Sequence, residues 1–417
     1  MTVSNEELLM GDGWSTDAVG HEKTLLPDPA RTSRDYLVIS VDDHIIEPPD
    51  MFEGRISEDL ADRAPRIIEN DFGGQSWIYD GQELPQIGLA AVAGLPVEQW
   101  NSDPTRFDQM RTGVYDIHAR VHDMDLDGIY ASVNFPSHLT GFAGARLQTS
   151  TKDLHLALAC VRAYNAWHLE DWTGPYPDRI IPCQIPWLHD TELGAAEIRR
   201  NAELGFKAIS FPEDPAKVGF PSIYTKHWDP IFQACSETET VLCLHAGSSG
   251  LPLHAQGAPV DAYVTHFGTM AVVAAIDWLF SLIPVRFPEL KIALSEGGIG
   301  WVVPLLDRLA HNQRIGYLHA YKGLDVSPSE VLLRNFYFCA LDDPSSIDEI
   351  QRIGPDHVTV EVDYPHPDST WPRTQALLRA QLDGFPSDLV QSVTWESAAK
   401  LFRHPVPERV RSNFDAF

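Results

Sequence analysis

Basic residues are scarce in this 417-residue chain: 31 Lys and Arg stand against 59 Asp and Glu, a formal net charge of -28. A surface that acidic repels phosphate backbones and anionic headgroups within a Debye length, so neither a nucleic-acid partner nor a membrane partner is expected. Long apolar runs are missing as well. The longest, 270–285, is interrupted by Asp277 and is too short to span a bilayer. The first thirty residues, with Glu6, Glu7, Asp12 and Asp17, have no basic segment followed by an apolar one and do not read as a secretory signal. Cysteine is sparse. Cys160, Cys183, Cys235, Cys243 and Cys339 are odd in number, lie among apolar neighbours and form no CxxC pair, which points to reduced core thiols. No G-x-S-x-G elbow, P-loop or dinucleotide fingerprint is present. The expectation is a soluble, cytoplasmic protein.

What is present is ordinary globular composition, 44% hydrophobic and 22% charged, in a length that suits one large domain or two smaller ones. Residues 1–35 carry no sustained period and read as a surface arm. From there short β-rich runs alternate with helical stretches. Strands are predicted at 36–41, 128–135, 179–185, 206–211, 240–244, 290–294, 335–339 and 358–362. Most are continuous apolar runs, as in parallel strands covered on both faces. Helical spacing fills 150–172, 190–204, 228–237, 270–282, 300–314, 327–334 and 344–352, with a further helix at 389–402. Eight strands with intervening helices predict an α/β fold, a (β/α)8 TIM barrel occupying 36–417 as one domain. The segment from about 48 to 110, rich in Gly, Pro and Asp, reads as an insertion after the first strand, at the substrate end of the barrel.

In such a barrel the active site lies at the C-terminal ends of the strands. Strand one ends in Asp42-Asp43-His44, with Glu47 just beyond, and Asp42 and His44 are two apart, so extended backbone projects them to one side. Strand five ends in His245-Ala246-Gly247, strand six in Glu296-Gly297-Gly298, and strand eight in Asp363-Tyr364-Pro365-His366. Singly, each residue has a plain structural alternative: a hydrogen-bonded histidine, a turn-starting aspartate, a helix-capping carboxylate. Together, Asp42, His44, His245, Glu296 and Asp363, with Glu47 and His366 behind them, form a candidate metal site drawn from four strand ends. Asn134, His138, His254 and Trp371 follow strands two, five and eight and are candidate substrate contacts, weighed against structural roles. Lys207 lies at the wrong end of strand four for a metal-bridging role, whereas Glu213 and Asp214 after that strand are placed to line the pocket.

The order Asp-x-His, His-x-Gly, Glu-Gly-Gly and Asp-Tyr-Pro-His-Pro resembles the branch of the amidohydrolase superfamily that includes aminocarboxymuconate-semialdehyde decarboxylase, over roughly residues 38–402. The resemblance implies one divalent metal, usually zinc, on Asp42, His44, His245 and Asp363, and a proton-transferring group after strand six. Here that group is Glu296 in place of the family's histidine, and the first strand offers Asp-x-His in place of two histidines. Glu296 and Asp363 are thus the expected catalytic residues. The expected activity is hydrolysis or non-oxidative decarboxylation of a small carboxylated or amide-bearing molecule. The extra carboxylates also suit manganese or iron. They keep open a dinuclear oxygenase of the amino-acid hydroxylase type. A third reading is a metal-bound, non-catalytic partner of a homologue, docked through the arm or the apolar end around Phe414 and Phe417. A homodimer is the expected assembly.

Overall fold

A computed structural model describes residues 23–417 except 70–72, 87 and 101–105. Most of the expected arm, residues 1–22, lies outside the described residues. Residues 23–35 run without helix or strand along the barrel, with the Leu26 amide bonded to the Gly94 carbonyl and that of Thr32 to the Leu126 carbonyl.

The strands in chain order are β1 Ile39–Ile45, β2 Arg66–Glu69, β3 Gln75–Tyr79, β4 Gln82–Pro85, β5 Ala131–Pro136, β6 Ile180–Ile181, β7 Cys183–Gln184, β8 Ala208–Phe211, β9 Val241–His245, β10 Ile292–Ser295, β11 Phe336–Ala340 and β12 Val358–Val360. Nine of them form one parallel sheet ordered β6-β5-β1-β12-β11-β10-β9-β8-β7. Its two ends are one chain segment: β6 pairs with β5, β7 pairs with β8, and only Pro182 separates β6 from β7. Proline has no amide to give the ladder, so it splits the strand without breaking the chain. The sheet therefore closes on itself as an eight-stranded barrel, each strand falling within a residue or two of a predicted run except β1 and β5, whose ends shift by up to four and three. The remaining three strands, β2-β3-β4, make an antiparallel sheet inside the 48–110 segment, and its Trp77 and Tyr79 are fully buried.

Side chains alternate between two cores. Val241 and Cys243 join Val133, Ile181, Ala208, Ala293 and Cys339 in one cluster, while Leu242 and Leu244 pack outward with Phe211, Ile292 and Phe338. That alternation is the period of two that any strand imposes. Helices unexpected from the sequence occupy Ile117–Asp127, Ala145–Thr149, Val260–Phe267 and Thr374–Leu382. Among the described residues no single helix is long and apolar enough to cross a membrane.

Candidate metal centre

The register of β1 against β5 decides what the first strand contributes. Ser40 pairs with Ser132 and Asp43 with Asn134, so β1 spends three residues where β5 spends two. One extra residue reverses the alternation. Without it Asp42 and His44 would point outward with Ser40; with it they point to the barrel axis, where the His44 ring meets that of Phe135. The carbonyl of Asp42 accepts the Asp363 amide at 2.8 Å, and the Tyr364 carbonyl accepts the His44 amide at 2.6 Å, locking β1 to the end of β12.

Four strand ends converge there. The Nε2 atoms of His44 and His245 are 2.8 Å apart. Asp42 Oδ1 lies 3.3 Å from His44 Nε2, and Asp42 Oδ2 lies 3.2 Å from His245 Nε2. Asp363 Oδ1 is 3.4 Å from His44 Nε2 and 3.1 Å from His366 Nδ1. Glu296 Oε2 stands 3.7 Å from His245 Nε2. Asp42–His44–His245 and His44–Asp363–His366 each bring their donor atoms within 4.8 Å of one another, all from buried residues. His245 Nδ1 lies 2.6 Å from the Ala246 carbonyl, so that nitrogen carries the proton and Nε2 turns its lone pair inward. Both oxygens of Asp42, both of Asp363, Oε2 of Glu296 and Nε2 of His366 are buried and make no hydrogen bond. Unsatisfied polar atoms at this density are costly unless something binds them, and a divalent cation fits oxygen and imidazole donors of this kind.

Electrostatics agree. Burial lifts the carboxyls of Asp42, Glu296 and Asp363 well above their ordinary range, and repulsion from Asp363 adds to the rise at Asp42 and Glu296. Burial also holds the imidazoles of His44 and His245 down, and that of His366 down to about 3. Uncharged histidines beside crowded carboxyls are a set that a metal charge stabilises. Glu296 and Asp363 both have positive φ, 55° and 54°, a conformation that non-glycine residues adopt at some cost and that recurs at functional sites.

Other expected residues take different places. Glu47 does not join the cluster: its Oε1 accepts from the Thr140 amide and hydroxyl, and its Oε2 from the His138 amide, so both oxygens fasten the 138–140 loop. Asn134 shares the outward face with Ser132; its amide donates to Ser132 Oγ at 2.9 Å and accepts from Trp172 Nε1 at 2.7 Å. Both ends are used by packing. His254 meets His266 and Tyr263 in the loop after β9. Trp371 packs edge-on against Tyr364 and donates to the Asp123 carbonyl, a supporting position behind the site. His138 is buried, with burial, Arg146 and His366 holding its imidazole down to about 3.

Three contributors were missed in the sequence. Glu361 sits two residues before Asp363, faces the same way, and its Oε2 accepts the Glu296 amide at 2.9 Å; the i, i+2 rule used for Asp42 and His44 applies equally to it. Arg120 is completely buried, donates to the His44 and Gly113 carbonyls, and stacks 4.5 Å over the Tyr364 ring. Phe142 closes the site: its ring lies 4.4 Å from His245 and 4.8 Å from His44, and its carbonyl accepts from Ser210 Oγ.

The sequence profile described as amidohydrolase matches residues 131–404. No curated protein sequence matches the chain. Among solved structures, an amidohydrolase from Mycobacterium avium subsp. paratuberculosis K-10 is similar at 20% identity and TM-score 0.65, covering 89% of this chain and 100% of its own. A 5-carboxyvanillate decarboxylase from Sphingomonas paucimobilis follows at 18% and 0.62, covering 88% and 99%. A dihydroxybenzoic acid decarboxylase from Polaromonas sp. JS666, solved with bound manganese and 2-nitroresorcinol, gives 18% and 0.58, covering 89% and 98%. At these identities the likeness establishes the barrel fold.

Proposed function

The chain belongs to the amidohydrolase family of metalloenzymes, and from that premise we propose a metal-dependent carboxy-lyase or hydrolase acting on a small carboxylated molecule, with non-oxidative decarboxylation as the preferred reading. The observation that carries it is the buried convergence of Asp42, His44, His245 and Asp363 with a high-pKa Glu296 beside them. A divalent ion on those four residues would supply Lewis acidity toward a carboxylate or carbonyl oxygen. Two carboxylates with two imidazoles suit manganese more than the nitrogen- and sulfur-seeking zinc expected from the family resemblance. The manganese in the Polaromonas decarboxylase supports the same choice.

Decarboxylation needs a proton on the carbon that loses CO2. The C–C bond breaks, its electron pair stays on the substrate carbon, and that carbon takes the Glu296 proton while CO2 departs; solvent then reprotonates Glu296. Hydrolysis would instead need this group as a base toward a bound water; the likeness to the Sphingomonas and Polaromonas decarboxylases supports the first reading. Glu361, holding the Glu296 amide, and the left-handed backbone of Glu296 aim the carboxyl at the centre. A second reading, an oxygenase with two ions, draws on the second donor group His44–Asp363–His366. CO2 release from a panel of small carboxylic acids by manganese-loaded protein tests the first reading. Glu296→Gln should keep its metal and lose about 10²-fold or more in turnover. Substrate-dependent oxygen uptake without CO2 release would replace this reading with the oxygenase.

A further inference from the structure

Asp42, His44, His245 and Asp363 are each 0% exposed, so the donors of the centre are shut away from solvent. Two phenyl rings touch the imidazoles. Phe135 approaches His44 and His245 at 5.9 and 5.3 Å and is itself completely buried. Phe142 lies closer, 4.8 Å from His44, 4.4 Å from His245 and 5.7 Å from His366, yet it is only half-buried. Phe135 belongs to the core, whereas Phe142 covers the imidazoles and still reaches the surface. Phe142 also lines an open cavity of about 340 Å³ with Gly141, Ala143, Gly247 and Gly250, and no metal-competent residue of the centre lines that cavity.

The backbone beneath the ring is fixed. Residues 141–144 form a turn closed by the Gly144 amide on the Gly141 carbonyl at 3.0 Å, with φ of 64° and 71° at the two glycines. Just before the turn, Glu47 holds the His138 and Thr140 amides, and from β8 the Ser210 hydroxyl donates to the Phe142 carbonyl. The part left to move is the side chain, and phenylalanine can pass between staggered χ1 wells without a backbone change. Beside the ring, Gly247 carries no side chain, and a Cβ there would stand 3.7 Å from Phe142 Cε2.

We propose that Phe142 is the gate of the centre: its ring swings off the three imidazoles before an ion or a substrate group reaches the donors. The inference rests on the metal-centre reading, because it puts the ring in the path of the ion. A gate sets the barrier to entry and to exit alike, so it governs rates and leaves affinity alone. A ring that merely braced the imidazoles would act differently. Its removal would speed exit and weaken binding, with entry unchanged.

Manganese(II) is the probe, on the full chain stripped with EDTA and desalted. Entry is followed by decay of the free-ion electron paramagnetic resonance signal after mixing, and exit by the metal left on the protein at timed intervals in excess EDTA. Phe142→Ala should raise both rates by about tenfold or more and leave the equilibrium affinity within about twofold. Phe142→Leu, which keeps much of the apolar bulk and hence the packing, should raise both by a smaller factor, and Phe142→Trp should lower both. Rates unchanged in the Ala and Leu variants, or faster exit alone with weakened affinity, would overturn the gate while leaving the centre in place. A wild-type chain that binds no manganese would overturn the metal-centre reading and the gate with it.

Discussion

Arg111 bridges two aspartates in very different surroundings, which turns the support behind the site into a quantitative test. Its Nε and Nη2 reach Asp123 at 2.8 and 2.6 Å, and the Tyr364 hydroxyl donates to the same carboxylate at 2.6 Å. The Asp123 side chain is 3% exposed. Its other partner, Asp28, lies 2.7 Å away with a side chain 57% exposed. Breaking a buried pair strands a desolvated charge and costs about 3–5 kcal/mol, whereas an exposed pair contributes about 0–1 kcal/mol. Asp123→Asn should therefore lower the melting temperature by about 3–6 °C, given roughly 2.1 cal/mol/K of unfolding entropy per residue, while Asp28→Asn should move it by about 1 °C or less. Tyr364 joins Asp363 to Pro365 and accepts the His44 amide, so Asp123→Asn should also weaken manganese binding. Differential scanning calorimetry and metal titration on the two variants provide the comparison. Equal thermal shifts would refute the assignment of Asp123 as a buried counterion that shapes the site.

Asn134→Ala should destabilise the chain by about 2–3 kcal/mol in urea, because Ser132 and Trp172 lose a shared partner, with metal content unchanged. Asp127, buried against Thr374, has its carboxyl pushed up to about 8 by burial. The folded chain thus holds that proton where the unfolded chain has lost it, so this group makes stability fall as pH rises from about 4 to about 8. Asp127→Asn should flatten that slope in urea unfolding measured across the window; an unchanged slope would assign it to other groups. EDTA should lower the melting temperature, by an amount that grows with the manganese concentration from which the ion is removed. A melting temperature indifferent to EDTA and to added manganese would contradict binding to the folded state.

The strands were legible because parallel strands covered on both faces are short apolar runs, and Val241 to Leu244 or Phe336 to Cys339 can hardly be anything else. The metal-competent residues were legible because each run stops at an ionisable side chain. What failed was alternation at the ends. Asn134 lies within a strand, and its parity with Ser132 turns it to the helices; Glu361 precedes Asp363 by two and faces the centre, but it is set inside an apolar run, between Val360 and Val362. The extra residue in β1, on which the orientation of Asp42 and His44 depends, is visible only against its partner strand. The helix Ile117–Asp127 was hidden for a related reason. Its buried face carries Arg120, Asp123 and Asp127, which erase the apolar period, although Asp116 caps its start and Gly128, at φ 74°, ends it. Glu47 has the chemistry of a ligand, and only the fold shows that the 138–140 loop takes both its oxygens.

The central claim is a divalent ion held by Asp42, His44, His245 and Asp363. Elemental analysis of purified, manganese-reconstituted protein, in metal per chain, tests it most directly. The account predicts close to one ion per chain, lost in His245→Ala and Asp42→Ala and kept in Asn134→Ala. No bound metal after reconstitution, or metal that survives both ligand substitutions, would contradict it.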